Sequence, residues 1–416
     1  MKELIAIKPD PGLSFACPEC QSPKVTISRI SASGIYWLAD CSCGACGIHF
    51  QHSLPVSHMI DHPLAINTES KTLYPADWNM YWQSAPFFKS TESKRQDNVD
   101  IRKVVYKEHR KVIVLNCLDY LYGHTLLKLY SALHHLDTRP DLGLIVIIPS
   151  IFEWMIPKGC AEAWIVQLRL GELVYGYDAI DRFVSSELER FDEVHVSKAV
   201  NHPDYTSIDI SRLTGVTPFD VEKFYEQKPF FTFALREDRW WLRSPLSDFA
   251  IRVGRKLGLS RLVAKILVKK QDALVRRTIR LISRQIPEAR FAITGLGKGG
   301  SLSRWASDKR TTKMNAEIER DWCRLYAQSH VVIGVHGSNM LLPTAHAAGC
   351  VEVLMEERDR NVVQDLSVRY NDRRQLFFYR FVDQYAAPSS VAVKVVGMYR
   401  NYENCYRNMV LNQYHS

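Results

Sequence analysis

Four of the ten cysteines in this 416-residue chain are spaced to build one site. Cys17-Pro-Glu-Cys20 and Cys43-Gly-Ala-Cys46 are two Cys-x2-Cys pairs separated by 22 residues. Each pair turns two thiolates toward one point, and two pairs complete a tetrahedral shell for Zn2+. A four-thiolate shell leaves no open position, so the ion expected at Cys17, Cys20, Cys43 and Cys46 is structural. Cys41 is a fifth thiol, either spare or able to replace Cys43. The plainer reading is a group of unpaired buried cysteines. The start, MKELIAIKPDPG, has no apolar stretch of signal-peptide length, so the expected location is cytoplasmic. Clustered thiols there mean metal rather than disulfide.

Three further motifs follow apolar strand-like runs. Phe230-Phe-Thr-Phe-Ala-Leu235 delivers Arg236, Asp238 and Arg239. An arginine at a strand end can grip phosphate oxygens bidentately, whereas a surface ion-pair cluster is the bland alternative. Arg290-Phe-Ala-Ile-Thr294 runs into Gly295-Leu-Gly297-Lys298-Gly299-Gly300. Glycines let backbone amides approach a phosphate and Lys298 adds charge, but a merely flexible loop has the same composition. Neither a Walker loop nor a dinucleotide fingerprint is present, which argues against an ordinary dinucleotide-dependent enzyme. Finally His330-Val-Val-Ile-Gly-Val335 ends in His336-Gly337-Ser338-Asn339, with Glu352 on the next strand. Ser338 or Asn339 is a candidate N-cap, and Gly337 would admit a ligand; a plain strand-to-helix turn is the alternative.

Positioning such loops requires parallel strands. Val112–Leu115, Leu144–Ile148 and Glu193–Val196 read as buried strands, with a helix over Thr125–Leu136. A second series holds strands at 230–235, 290–294, 330–335 and 351–355, and helices at 247–285, 314–328 and 339–348. Alternating strands and helices imply doubly wound parallel sheets. The expected fold is α/β, with two facing Rossmann-like domains behind a small β module. The divisions are a zinc module at 13–54, a linker at 55–107, an N-terminal α/β acceptor domain at 108–226, a C-terminal α/β donor domain at 227–388 and a helical tail at 389–416. Ligands of such sheets sit at the carboxyl ends of strands.

The cysteine module resembles zinc ribbons in spacing and in the glycine after the second pair. Residues 229–360 resemble glycosyltransferases of the GT-B fold. Arg236, Asp238 and Arg239 match the end of the fucosyltransferase pattern His-x-Arg-Arg-x-Asp-Lys, while Phe233 and Leu235 depart from its first His and Arg. His336-Gly337-Ser338, with Pro343 and Glu352, is similar to the turn of family 61 xylosyl- and N-acetylglucosaminyltransferases. The resemblance implies a nucleotide diphosphate sugar donor, with Arg236 on the diphosphate and Ser338 and its amide nearby; Arg239, Gly297, Lys298, His336, Gly337, Asn339 and Glu352 are the other candidate donor-binding residues. It also implies inverting transfer without a tightly bound metal. Arginines and helix-end amides would then stabilise the departing diphosphate. The acceptor, a glycan or glycolipid, would lie on the N-terminal domain. There Asp119 and His124, after the first strand, are the candidate bases, with His336 and Asp238 as rivals. The departures at Phe233 and Leu235 also fit a non-catalytic zinc-ribbon interaction protein with a degenerate transferase domain.

Composition sets the outer limits. The chain is 46% hydrophobic and 24% charged, as folded proteins are, which excludes global disorder. Its net charge of +9 admits anionic partners without naming one. Residues 252–284 hold eleven Lys or Arg against Asp272 alone, a local balance of +10. Leu262, Val263, Ile266, Leu267, Leu274, Ile279 and Ile282 run through this segment as an apolar stripe. A basic amphipathic helix can contact an anionic inner-membrane surface peripherally; the bland reading, a packed helix with a solvated basic face, is favoured. Nothing aromatic is interleaved to stack bases, which argues against nucleic acid.

Overall fold

The computed structural model describes residues 3–75, 82–198 and 202–411, and within them every side chain but those of 248, 250, 252, 255 and 261. The chain divides into two compact units, Met1–Pro203 and Asp204–Ser416. Both are of the Rossmann-like α/β type expected.

The first unit opens with β1 (Leu4–Lys8). Strands β2 (Val25–Ser33), β3 (Tyr36–Cys43), β4 (His49–Ser53), β5 (Ala65–Asn67) and β6 (Leu73–Tyr74) form an antiparallel sheet in that order. Helix α1 (Ser84–Glu92) then leads to β7 (Ile101–Val105), β8 (Lys111–Asn116), α2 (Tyr122–Thr138), β9 (Gly143–Pro149), β10 (Glu162–Val166), α3 (Asp178–Leu188) and β11 (Glu193–Ser197). The second sheet has the order β1-β11-β8-β9-β10-β7, with β11, β8, β9 and β10 parallel. All seven residues of β9 are buried, which is why its sequence is a continuous apolar run rather than an alternation. The edges β1 and β7 are antiparallel, and β7 exposes Arg102 and Lys103, charges that discourage further pairing.

Residues 55–107, expected to be a linker, instead complete the antiparallel sheet with β5 and β6 and supply α1 and the edge strand β7. Strands of two or three residues are too short to carry a period. The β module is no separate bead either. Trp37, Leu38 and Phe50 share one apolar core with Val112, Trp164 and Val194. Asn116 Nδ2 donates to Gly34 O at 2.9 Å, and Arg29 pairs with Asp181 at 2.5 Å.

The second unit begins before the expected boundary at 227, because Phe219, Val221 and Phe224 already belong to its core. After α4 (Ser211–Thr214) come β12 (Phe230–Ala234), α5 (Pro245–Lys256), α6 (Ser260–Gln285), β13 (Arg290–Thr294), β14 (Ser307–Asp308), α7 (Ala316–Tyr326), β15 (Val331–Val335), α8 (Leu341–His346), β16 (Gly349–Leu354), α9 (Arg374–Phe378), β17 (Tyr379–Asp383) and α10 (Pro388–Cys405). The sheet is parallel throughout, in the order β14-β13-β12-β15-β16-β17. Counted within the unit this is 3-2-1-4-5-6, the order of a dinucleotide-binding sheet. The expected single helix over 247–285 is two. Gly258 takes a left-handed φ of 70° after α5, and the chain reverses into α6. The C-terminal helix α10 buries Val391, Val395, Met398 and Tyr402; residues 412–416 of the expected tail lie outside the described residues.

Candidate functional site

In the second unit the direction of winding reverses between β12 and β15, so the crevice at their carboxyl ends is the switch point of the sheet. Strand β12 ends in Arg236–Arg239 and β15 ends in His336–Asn339, so two of the three motifs singled out in the sequence meet there. Arg236 Nε donates to Asp238 Oδ1 at 2.6 Å, and a second guanidinium nitrogen reaches the other carboxylate oxygen. Burial alone would raise the Asp238 carboxyl, but these bonds hold it below its ordinary value. Arg236 Nη1 also lies 3.4 Å from Asn339 Oδ1, which ties the two strand ends together. Arg239 Nη1 donates to His336 O at 3.4 Å and lies over Gly337, whose φ is 143°. A Cβ on residue 337 would fall 2.2 Å from that nitrogen. Burial, reinforced by the charges of Arg236 and Arg358, lowers the Arg239 guanidinium from its ordinary value. Arg236 and Arg239 thus meet at one crevice, an arrangement that a diphosphate would relieve.

Other expected ligands are placed differently. His336 and Glu352 are fully buried, with Nδ1 2.5 Å from Oε2. Burial disfavours the imidazolium, but the bond to Glu352 outweighs it and the His336 pKa is raised. Burial raises the Glu352 carboxyl, although His336 opposes it. This pair lies in the interior beneath the β15 turn. Ser338 begins a single 3-10 turn, Ser338–Met340, ahead of the six-residue α8. Neither Ser338 nor Asn339 makes the expected cap hydrogen bond; Asn339 Nδ2 donates to Val335 O. In the glycine loop, the Lys298 amide donates to Glu237 Oε1 at 2.8 Å and the Gly300 amide to Asp308 Oδ2 at 2.9 Å. Gly297 packs against Glu237, and the Lys298 side chain is exposed. Carboxylates therefore take the Lys298 and Gly300 amides, and Thr311 O takes that of Gly297.

In the first unit the corresponding crevice follows β8. Asp119 is buried, and its Oδ2 accepts from Lys128 Nζ at 2.9 Å. Its Oδ1 lies 3.4 Å from His124 Nδ1 and accepts from the Leu121 amide at 3.0 Å. Burial would raise the carboxyl, but Lys128 and His124 hold it well below the usual carboxylate range. His58, on the 3-10 turn Ser57–Met59 of the β module, brings Nε2 to 3.1 Å from His124 Nδ1. Burial, with the neighbouring His124 and Lys128 charges, pushes His58 down to about 3, so it is neutral at ordinary pH. Trp82 stands edge-on to both rings. Asp119 and His124 were legible in the sequence. His58, Lys128 and Trp82 were missed, since no spacing links residue 58 to residue 124.

His58, Asp119 and His124 present one ligand atom each within 4.8 Å and could hold a cation. Lys128 already neutralises the carboxylate, however, and would repel an incoming ion, which favours proton chemistry. Asp119 and His58 both face Nδ1 of His124, which leaves Nε2 as the edge open to proton transfer.

Cys17, Cys20, Cys43 and Cys46 bring their sulfurs within 4.8 Å of one another. The Cys17–Cys46 and Cys20–Cys43 separations are 3.5 and 3.6 Å. Sulfurs about 2.3 Å from a tetrahedral zinc are about 3.8 Å apart, so the four fit that ion. The Ala45 amide points at Cys43 Sγ at 3.4 Å. Amides of this second knuckle, Cys46 first and then Ala45, lower the Cys43 thiol to about 6. Cys41 stands outside the group: it is buried, donates to Ala39 O, and burial pushes its thiol up to about 12.

No protein-family model matches the chain, and no curated protein matches it. Among solved structures it is similar to a Listeria monocytogenes protein assigned as a UDP-N-acetylglucosamine 2-epimerase, at 8% identity and a TM-score of 0.30. The match covers 71% of this chain and 68% of that one. A score so low carries no argument for a shared activity; the fold assignment rests on strand order and direction.

Proposed function

We propose that the protein is a glycosyltransferase that moves a sugar from a nucleotide diphosphate sugar to a glycan or glycolipid acceptor, with inversion and without a catalytic metal. The observation that carries this reading is the crowding of Arg236 and Arg239 at the switch point of a 3-2-1-4-5-6 sheet. Breaking the bond between sugar and diphosphate leaves negative charge on the phosphate oxygens. Fixed guanidiniums stabilise that charge more in the transition state than in the bound donor. Arg236 is held by Asp238 and Asn339, so it costs little to orient. Gly337 lets Arg239 approach the turn. His336 and Glu352 act as positioning residues beneath it.

The acceptor hydroxyl must lose a proton as it attacks the anomeric carbon. His124 Nε2 is the proposed base, oriented by Asp119 through Nδ1. The proton ends on His124, and the nucleoside diphosphate departs. Asp238 is engaged with Arg236 and is not needed as a base. Cys17, Cys20, Cys43 and Cys46 would hold a structural zinc that ties the loop before β2 to the end of β3.

A thermal-shift series with GDP, UDP, CDP and ADP tests the donor assignment. One of them at 100 times its dissociation constant should stabilise the fold by about 2.7 kcal/mol. Arg236→Ala should abolish that shift while melting normally without ligand. No shift with any nucleotide would favour the non-catalytic interaction protein.

A further inference from the structure

The α5–α6 hairpin has two ends of different character. From Leu267 onward, α6 is built into the second unit, with Leu267, Val275, Ile279 and Ile282 buried. Its first two turns are not. Leu262 is 57% and Ile266 47% exposed, and the connecting turn adds Leu257 at 65% and Leu259 at 48%. The two helices nevertheless pack closely at this end, since a Cβ on Gly254 would fall 2.5 Å from Val263 Cγ2. The hairpin is therefore a formed element whose blind end is apolar. Such grouping is rare on a surface facing only water.

The charge around this end is of one sign. Lys256, Lys265, Lys269 and Lys270 are exposed. Arg252, Arg255 and Arg261 belong to the same segment, although their side chains lie outside the described residues. Asp272, the segment's acidic residue, is engaged by Arg310 at 3.1 Å and by Ser301. The stripe read from the sequence along one helix is thus divided. Its second half serves the core, and its first half joins the exposed leucines of the connecting turn.

We propose that the tip of the α5–α6 hairpin docks on an anionic lipid surface. Leu257, Leu259 and Leu262 enter the interfacial layer, and the lysines contact the headgroups. Exposed leucines on the turn and the first turns of α6, among lysines of one sign, suit the apolar interior and anionic headgroups of a lipid surface. Among the described residues no helix is long and apolar enough to cross a membrane, so the contact is peripheral.

The experiment is co-sedimentation of the full chain with vesicles of phosphatidylcholine mixed with phosphatidylglycerol, and with vesicles of phosphatidylcholine alone. The wild type should bind the mixed vesicles and release as salt is raised. Leu257→Ser, Leu259→Ser and Leu262→Ser combined should weaken binding at least about tenfold, by loss of the inserted apolar area. These side chains are exposed, so the melting temperature should hold. Lys265→Glu with Lys269→Glu should remove the preference for the anionic vesicles. Failure of the wild type to bind, or equal binding by the triple variant, overturns the proposal. A wild-type dimer that the triple variant turns into a monomer, without vesicle binding, would assign the surface to a second copy instead. None of these readouts depends on the nucleotide site, so either reading can fail alone.

Discussion

His58 Nε2 lies 3.1 Å from Nδ1 of His124, joining a turn of the antiparallel module to the start of the helix after the first parallel strand. The module carrying the cysteine cluster therefore supplies part of the wall of the proposed acceptor site. In this reading His58 is a positioning residue and His124 the base.

Removing the base should separate catalysis from donor binding. His124→Gln is expected to lower kcat about 10²- to 10⁴-fold, the usual contribution of a positioned general base. Nucleotide affinity should stay unchanged, because no donor ligand is touched. His58→Ala should give a smaller loss of kcat. Steady-state kinetics and calorimetry on the two variants check this, and an unchanged kcat for His124→Gln would remove His124 from the mechanism.

Gly337→Ala tests the approach of Arg239. The added Cβ would lie 2.2 Å from Nη1, and φ is 143°. Backbone strain of this kind costs about 1–3 kcal/mol. The melting temperature should fall, and nucleotide binding should weaken further than the stability loss explains. Binding at wild-type strength would mean that Arg239 is not a donor ligand.

Purified protein should contain about one zinc per chain, the number a single four-thiolate shell holds. Cys17→Ser or Cys46→Ser should lose it, and Cys41→Ser should keep it. Because the module shares its core with the parallel sheet, the metal-free variants should melt lower across the whole first unit. Elemental analysis that finds zinc in Cys17→Ser, or none in the wild type, contradicts the site.

Three buried histidines and the half-buried His58 make stability depend on pH. Burial pushes His58 down to about 3, and His135, His330 and His346 to about 4. Each takes up a proton more readily when unfolded, near its ordinary value of about 6.5. Their contribution is complete above that value and is lost as pH falls through the window between about 6.5 and the depressed folded values. Urea unfolding at pH 5 should therefore show less stability than at pH 7, by about 1–2 kcal/mol for each such group. His346→Gln should reduce the difference. Equal stability at the two pH values would mean these rings are hydrated.

By itself the sequence determined the four-cysteine shell, the two series of strands and helices, and the polar residues at their ends. Those features are local: a Cys-x2-Cys spacing, a continuous apolar run such as Leu144–Ile148, or an arginine directly after a strand each carries its meaning within a few residues. Tertiary structure decided which ends share a crevice. Strand β15 lies beside β12 because the chain returns to the other side of its first strand, and only that crossing brings His336–Asn339 to Arg236 and Arg239. Residues 55–107 were illegible because two- and three-residue strands are stabilised by pairing partners rather than by their own pattern. His58 was invisible for the same reason. Its contact with His124 spans 66 positions and depends on the shared core of two sheets, a packing relation that no spacing along the chain encodes.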